Sequence, residues 1–331
     1  MAATIVDIAE LCGYSKATVS RAFATPESVS EKARERIYAA AKELNYAPNV
    51  IARAMVRKRT ENISFIIHEK QYPAVLNPFY SVVLETVMQE SARHGYSIFV
   101  TTNQEMRLPS GDIYIRRHMD GVLCVGEVNR ELIVEFHKQG IPVVLLNNYL
   151  EMDGLLCVTA DHFHGAEAAT EHLYQKGHQR IGLLAGRFSK QVSEARLSGY
   201  KKVLSAHELP FQGQDVVDID PTLEDSKQAM AEILQRPDHP TAFLCTNDTI
   251  AVGAMKAVFR AGLRVPEDIA IVGFDDSYVS RVIEPELTTV RIDAEYMGRL
   301  AAQKLFDLID GKPVETMQVQ IPVQLIVRGT T

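Results

Sequence analysis

Three groups of residues in this chain have types and spacings that suggest chemistry. Near the start, Lys16, Ala17, Ser20 and Arg21 fall within one arc of about 140° if residues 16–23 are helical. That gives a short face of basic and small groups, the kind that enters a major groove. Far downstream, Arg196, Asn247 and Asp275 offer a guanidinium fork, an amide and a carboxylate. Together these can satisfy adjacent hydroxyls of a small ligand in bidentate fashion. Phe79, in Asn77-Pro78-Phe79, can cover one face of such a ligand, and Asp161, after Val158-Thr159-Ala160, is a further candidate for the same cleft. Taken singly, Asn247 and Asp275 are also common turn formers; their joint placement, at the ends of apolar runs, points to a cleft. The third group is His162-Phe163-His164 with His172 and His178. Its type suits a metal but its spacing does not: alternate residues of a strand point to opposite sides, and no cysteine or carboxylate completes a set. We expect no metal and no cofactor. Nucleotide-binding glycine loops, H-E-x-x-H and G-x-S-x-G are all missing from the sequence, so no catalytic residue is nominated and no enzyme is expected.

The early basic face needs two short helices to present it. Thr4-Ile5-Val6-Asp7 has capping-box spacing, and Ile5, Ile8, Ala9 and Cys12 follow at i, i+3, i+4 and i+7. Gly13 ends that helix, and Ser15 is a natural cap for the second, Lys16 to Phe23. Val19, Ala22 and Phe23 pack inward. A third helix starts at Ser30 with Ala33, Ile37, Ala40, Ala41 and Leu44 on its inner face. Charge separates along the chain in the same way. Residues 1–60 hold ten Lys/Arg against six Asp/Glu, a net of +4, while the rest carries −11 of the overall −7. A basic head on an acidic body fits a polyanion meeting the head alone.

The downstream groups need a different scaffold. Apolar runs at Ile63–Ile67, Ser97–Thr101, Val122–Val125, Val143–Leu146, Ile181–Leu184, Ala242–Cys245 and Ala270–Gly273 alternate with amphipathic stretches such as Phe79–His94, Arg130–Gln139, His164–Lys176 and Thr249–Ala261. Alternation of this kind implies parallel sheets covered on both faces, and at this length two doubly wound lobes with a ligand cleft between them. The four cysteines are far apart without CxxC spacing, which suits reduced thiols in a cytoplasm. Neither a secretory signal nor a membrane-length apolar run is visible.

TIVDIAELCGYSKATVSRAF resembles the opening signature of the lac repressor/gal repressor family, and VSEKARERI and ELNYAPNVIARAM continue the likeness through the family's third helix and hinge. HLYQKGHQRIGLLAG, CTNDTIAVGAMKAVFRAGLRVPEDIAIVGFDD and ELTTVRIDAEYMGRLAAQKL look like its effector domain, which resembles periplasmic sugar-binding proteins. The resemblance implies an all-α helix-turn-helix head over residues 1–59, with a hinge helix at about 48–57, and an α/β body of two parallel-sheet lobes over 60–331. The chain would cross between lobes near 161, 289 and 320.

By the same resemblance Lys16, Ala17 and Arg21 read bases, while Ser15, Thr18 and Ser20 grip phosphates and hold register. Asn49, Ala52 and Met55 belong to the hinge, where Met55 replaces the usual Leu as the wedge in the minor groove. A frayed basic linker is the other reading of that segment, since so short a helix is unstable alone. Arg196, Asn247 and Asp275 would bind the effector. The resemblance makes the protein a homodimeric, ligand-responsive regulator, more readily a repressor than an activator, gripping a pseudo-palindromic operator. A sugar is the preferred effector. A purine or nucleoside is the alternative, although Asp218-Ile219-Asp220-Pro221-Thr222 lacks the stacking ring many members carry there. A sugar-binding protein or enzyme on the same two-lobed body would leave the first sixty residues unexplained. With no leucine heptads after Val327, a coiled-coil tetramer is not expected.

Overall fold

The computed structural model describes residues 3–46, 59–67, 77–102, 119–314 and 316–331. The head is three helices, α1 (Ile5–Cys12), α2 (Lys16–Ala24) and α3 (Glu31–Glu43). The capping box forms: the Thr4 N–H donates to Asp7 Oδ2 at 2.7 Å, and the Thr4 hydroxyl accepts from the first-turn amides. Gly13 takes φ 72°, the left-handed conformation that lets α1 stop and α2 start within three residues. Ile8, Cys12, Val19, Ala22, Ile37 and Ala40 form a small core among the three helices, with Tyr14, Phe23 and Leu44 around it.

The body holds two six-stranded sheets with the same plan. The first contains β1 (Asn62–Ile67), β2 (Ser97–Thr102), β3 (Gly121–Val125), β4 (Val143–Leu146), β5 (Leu156–Ala160) and β11 (Gln318–Ile321), ordered β11-β5-β4-β3-β1-β2. The second contains β6 (Ile181–Gly186), β7 (Val216–Ile219), β8 (Ala242–Cys245), β9 (Ala270–Asp275), β10 (Thr288–Ile292) and β12 (Val323–Ile326), ordered β12-β10-β9-β8-β6-β7. All neighbours are parallel except β10 and β12. In both sheets the order reverses beside the first strand of the lobe, β1 or β6. That reversal opens a crevice at the strands' carboxyl ends.

Helices cover both faces: α4 (Pro78–Arg93), α5 (Arg130–Lys138) and α11 (Ala294–Ile309) on the first lobe, and α6 (His162–Gln175), α7 (Lys190–Ala206), α8 (Leu223–Leu234) and α9 (Asp248–Arg260) on the second. The short α10 (Val279–Val282) follows β9. No described helix is long and apolar enough to cross a membrane.

Chain passage between sheets occurs three times. It runs from β5 into α6 at Asp161, and from β10 into α11 at Asp293, so the second crossing lies just past the strand rather than near Thr289 within it. The last is at Pro322, where β11 ends in one sheet and β12 begins in the other.

A close helix pair of the second lobe, α6 against α7, positions the helix that carries Arg196. At Gly199 an added Cβ would collide with the Phe163 carbonyl oxygen and lie 2.9 Å from Glu167 N. Backbone cannot yield as a flexible side chain can. Gly199→Ala should therefore push α7 outward at a cost of about 2–3 kcal/mol. Calorimetry should show a lowered midpoint for the body; an unchanged midpoint would mean the helices are not in this contact.

Candidate functional site

On the head, Lys16, Ala17 and Arg21 are exposed in a row on α2, with Ser15 exposed at its cap. Thr18 and Ser20 are half-buried, and Val19 and Ala22 are buried beneath them. Ser15 Oγ accepts from Thr18 N at 3.1 Å and lies 2.9 Å from Thr18 Oγ1, so these two hydroxyls brace the start of the helix. Tyr38 of α3 donates its hydroxyl to Ala22 O at 3.0 Å and so pins α2 from behind. Such a helix start carries free amides and partial positive charge toward whatever approaches it, which favours phosphate. Asn49, Ala52 and Met55 lie outside the described residues, as does the rest of the hinge segment.

In the body, the carboxyl ends of both sheets face a cavity of about 270 Å³. Phe79, Arg196, Asn247 and Asp275 all line it. Asp161 does not: it caps α6, accepting from His164 N at 3.2 Å and pairing with His164 Nδ1 at 2.8 Å. Two of the strand-end placements also need correction. Arg196 stands in the middle of α7, not at a strand end, and Asp275 is the last residue of β9 rather than a residue beyond it. Asn247 follows β8 as expected, but its Oδ1 is committed to Ile250 N at 2.7 Å as the cap of α9. Sequence reasoning overlooked Asn147, Phe188, Ser189, Pro221 and Asp248 among the lining residues. The signal available for them was position alone, within three residues of the end of β4, β6, β7 or β8.

Arg196 is 4% exposed, and its surroundings show how a buried cation is held. Nη1 donates to Thr246 O, Nη2 donates to His162 Nδ1 at 3.2 Å, and the guanidinium lies 4.0 Å from the Phe274 ring centre. Asp275 Oδ1 sits 3.7 Å from Nη2, close enough for ion pairing but too far for a direct hydrogen bond. Nε is buried without a partner. An arginine held this way leaves one enclosed donor without a partner, beside the Asp275 carboxyl group at the cavity wall.

The carboxylates differ sharply. Burial pushes the Asp275 pKa well up; Arg196 opposes this and Asp248 adds to it. Asp248 is also pushed up, to about 7, by burial, although Ser277 and Thr289 donate to it. Burial acts on Asp276 too, but hydrogen bonds from Arg291 at 2.7 Å, Arg328 at 2.6 Å and Ser280 at 2.9 Å outweigh it and hold that pKa below the usual range. Of the two adjacent aspartates, one faces the cavity and its neighbour clamps β9 to β10 and the C-terminal segment.

Because the folded pKa of Asp248 is raised above its unfolded value near 3.8, the protonated form is favoured by folding. Its stabilising effect is present below about pH 4 and fades as pH rises toward 7. Thermal midpoints measured across that window should fall less in Asp248→Asn than in the parent. Parallel curves for the two proteins would show that Asp248 is ionised throughout.

The family model described as "Bacterial regulatory proteins, lacI family" matches residues 4–49, and the "Periplasmic binding protein-like domain" model matches residues 170–331. The chain is similar to the HTH-type transcriptional repressor CytR of Escherichia coli (strain K12), 32% identical over 334 residues, covering 100% of this chain and 96% of the repressor. Among solved structures, the Lac repressor bound to ONPG in its repressed state is similar with a TM-score of 0.82 at 27% identity, over 100% of both chains. The complex of the transcriptional regulator CelR with cellobiose gives a TM-score of 0.73 at 29% identity, over 99% of this chain and 100% of CelR.

Proposed function

Since the chain belongs to the lacI family of bacterial regulatory proteins, whose members are DNA-binding repressors rather than enzymes, we propose that it is an operator-binding homodimer whose grip on DNA answers to a sugar-class ligand in the cavity between its lobes. Residues 1–59 are the DNA-binding part, with the hinge at about 48–57, and 60–331 the effector and dimerisation part. The working place of such a repressor is the cytoplasm, with its DNA.

One observation carries the effector reading: the buried Arg196 with an unpartnered Nε beside the Asp275 carboxylate, at the wall of a cavity with aromatic rings. Adjacent hydroxyls can pair with the Arg196 guanidinium and with Asp275, while Phe79 or Phe188 covers an apolar ring face. A cavity of about 270 Å³ suits a small ligand, close to the lower end of the ~300–1,000 Å³ usual for such sites. The CelR–cellobiose complex supports a sugar on the same architecture.

Thermal unfolding in the presence of monosaccharides, disaccharides, sugar acids, sugar phosphates, nucleosides and purines tests this. At ~100 times its dissociation constant, a ligand stabilises by ~2.7 kcal/mol. One sugar should raise the midpoint, and Asp275→Ala should abolish that rise. A rise with a purine or nucleoside alone would reassign the effector class while leaving the repressor reading intact.

For DNA, Lys16, Ala17 and Arg21 are the base readers, Ser15, Thr18 and Ser20 the phosphate-side contacts, and Asn49, Ala52 and Met55 the hinge contacts. Arg21→Ala should cost about 1–3 kcal/mol on a selected operator and little on random duplex. Met55→Gly should likewise weaken specific binding far more than non-specific binding. Equal losses on both DNAs, read by titration at fixed salt, would refute these assignments.

A further inference from the structure

The polar groups around Arg196 continue past the cavity into the other lobe. Arginine carries only donors, so His162 Nδ1, 3.2 Å from Arg196 Nη2, must accept; the ring proton therefore sits on Nε2. Nε2 lies 3.3 Å from Asn147 Oδ1, to which it donates. Asn147 follows β4 in the first lobe; its backbone takes φ 49°, and its own carbonyl accepts from Ser189 Oγ at 3.3 Å, across from the second lobe. The Ala160 N–H also donates to Asn147 Oδ1 at 3.3 Å. His162, Asn147, Ser189 and Arg196 are all buried. The chain of contacts runs Thr246 O, Arg196, His162, Asn147, from the second sheet to the first, and two of its members, Arg196 and Asn147, line the cavity. His162 also lines a smaller crevice of about 140 Å³ with Tyr149, Gln191 and Gln320, beside the first and third crossings.

We propose that His162 is a positioning residue that ties Arg196, the ligand-reading cation, to Asn147 of the opposite lobe, so that lobe closure and the readiness of Arg196 for ligand are set together. The proposal rests on the reading that Arg196 meets the effector. Burial, reinforced by the Arg196 charge, keeps the imidazole neutral, as a ring that donates on one side and accepts on the other requires. A fixed polar link in a dry contact is a two-position element: it is made in one lobe arrangement and broken in another.

The test needs no ligand. Spin labels at Lys138→Cys on the first lobe and Lys201→Cys on the second, both exposed, report the inter-lobe distance by pulsed electron resonance. The described native cysteines are all buried, and labelled chain is diluted into unlabelled chain. His162→Phe keeps the ring and removes both links. His162→Asn keeps an acceptor near the Nδ1 position and removes the reach to Asn147. Both should lose the narrow parental distance peak in favour of a longer or broader one. Asn147→Ala should do the same, and Asn147→Ala with His162→Phe should add nothing further. In nitrogen-15 spectra of histidine-labelled protein at pH 7, the signals that vanish in His162→Asn should be those of a neutral, Nε2-protonated ring. A parental distance peak in either folded His162 variant, or an Nδ1-protonated or charged ring, overturns the proposal. Either result stands whatever the ligand screen yields, so failure here is separable from failure of the sugar reading.

Discussion

Much of the second lobe is arranged around one costly object, the guanidinium of Arg196 withdrawn from water at the carboxyl ends of β8 and β9. A buried cation is tolerated only when its donors are met and opposite charge is near. The Thr246 carbonyl, the His162 ring and the Phe274 face each supply part of that compensation, and the Asp275 carboxyl group lies 3.7 Å away. To do so, α7, the start of α6 and the ends of β8 and β9 must converge within a few ångströms. Gly199 allows part of this convergence by letting α7 approach the backbone of α6. The compensation is left incomplete at Nε, which is buried without a partner.

The repeated sheet plan explains why polar groups gather there at all. Each strand leaving its sheet at the carboxyl end must hand its chain to a helix, and each helix start needs an acceptor for its first amides. Asn77, Asp161, Asn247 and Asp293 fill that role for α4, α6, α9 and α11. Capping and ligand binding therefore compete for the same positions. Asn247 has its oxygen in the cap while lining the cavity, whereas Asp161 is absorbed by its cap and by His164. Backbone strain collects at the same rim: Asn147, Asp275 and Asp276 all have positive φ. These conformations are held by surrounding hydrogen bonds, notably the arginine clamp on Asp276 and the Asn147 link between lobes.

The head depends on different physics. It is too small to spend burial on charge, and its core is a handful of apolar side chains among three helices. The exposed Lys16, Ala17 and Arg21 of α2 are held in place from within by Val19 and Ala22 and from behind by Tyr38.

Sequence alone was sufficient wherever structure is set by local periodicity or by capping. The three helices of the head, the Thr4–Asp7 box, the Gly13 turn and seven of the strands follow from such signals, because i, i+4 spacing and end residues act over one or two turns. The edge strands β7 and β12 and the crossing strand β11 carry partly exposed, mixed sequences such as Val216–Ile219 and Gln318–Ile321; they become strands by pairing with neighbours distant in the chain. Arg196 was legible as a ligand group only through joint placement with Asn247 and Asp275. Its helix was not, since an amphipathic pattern sends arginine outward and nothing local reveals a buried one. Phe188, Asp248 and the His162–Asn147 link were decided by tertiary structure alone. Asn147 and His162 are 15 residues apart, and Ser277 and Thr289, the partners of Asp248, lie farther still from it along the chain. The burial that shifts Asp248 and keeps His162 neutral exists only in the folded body.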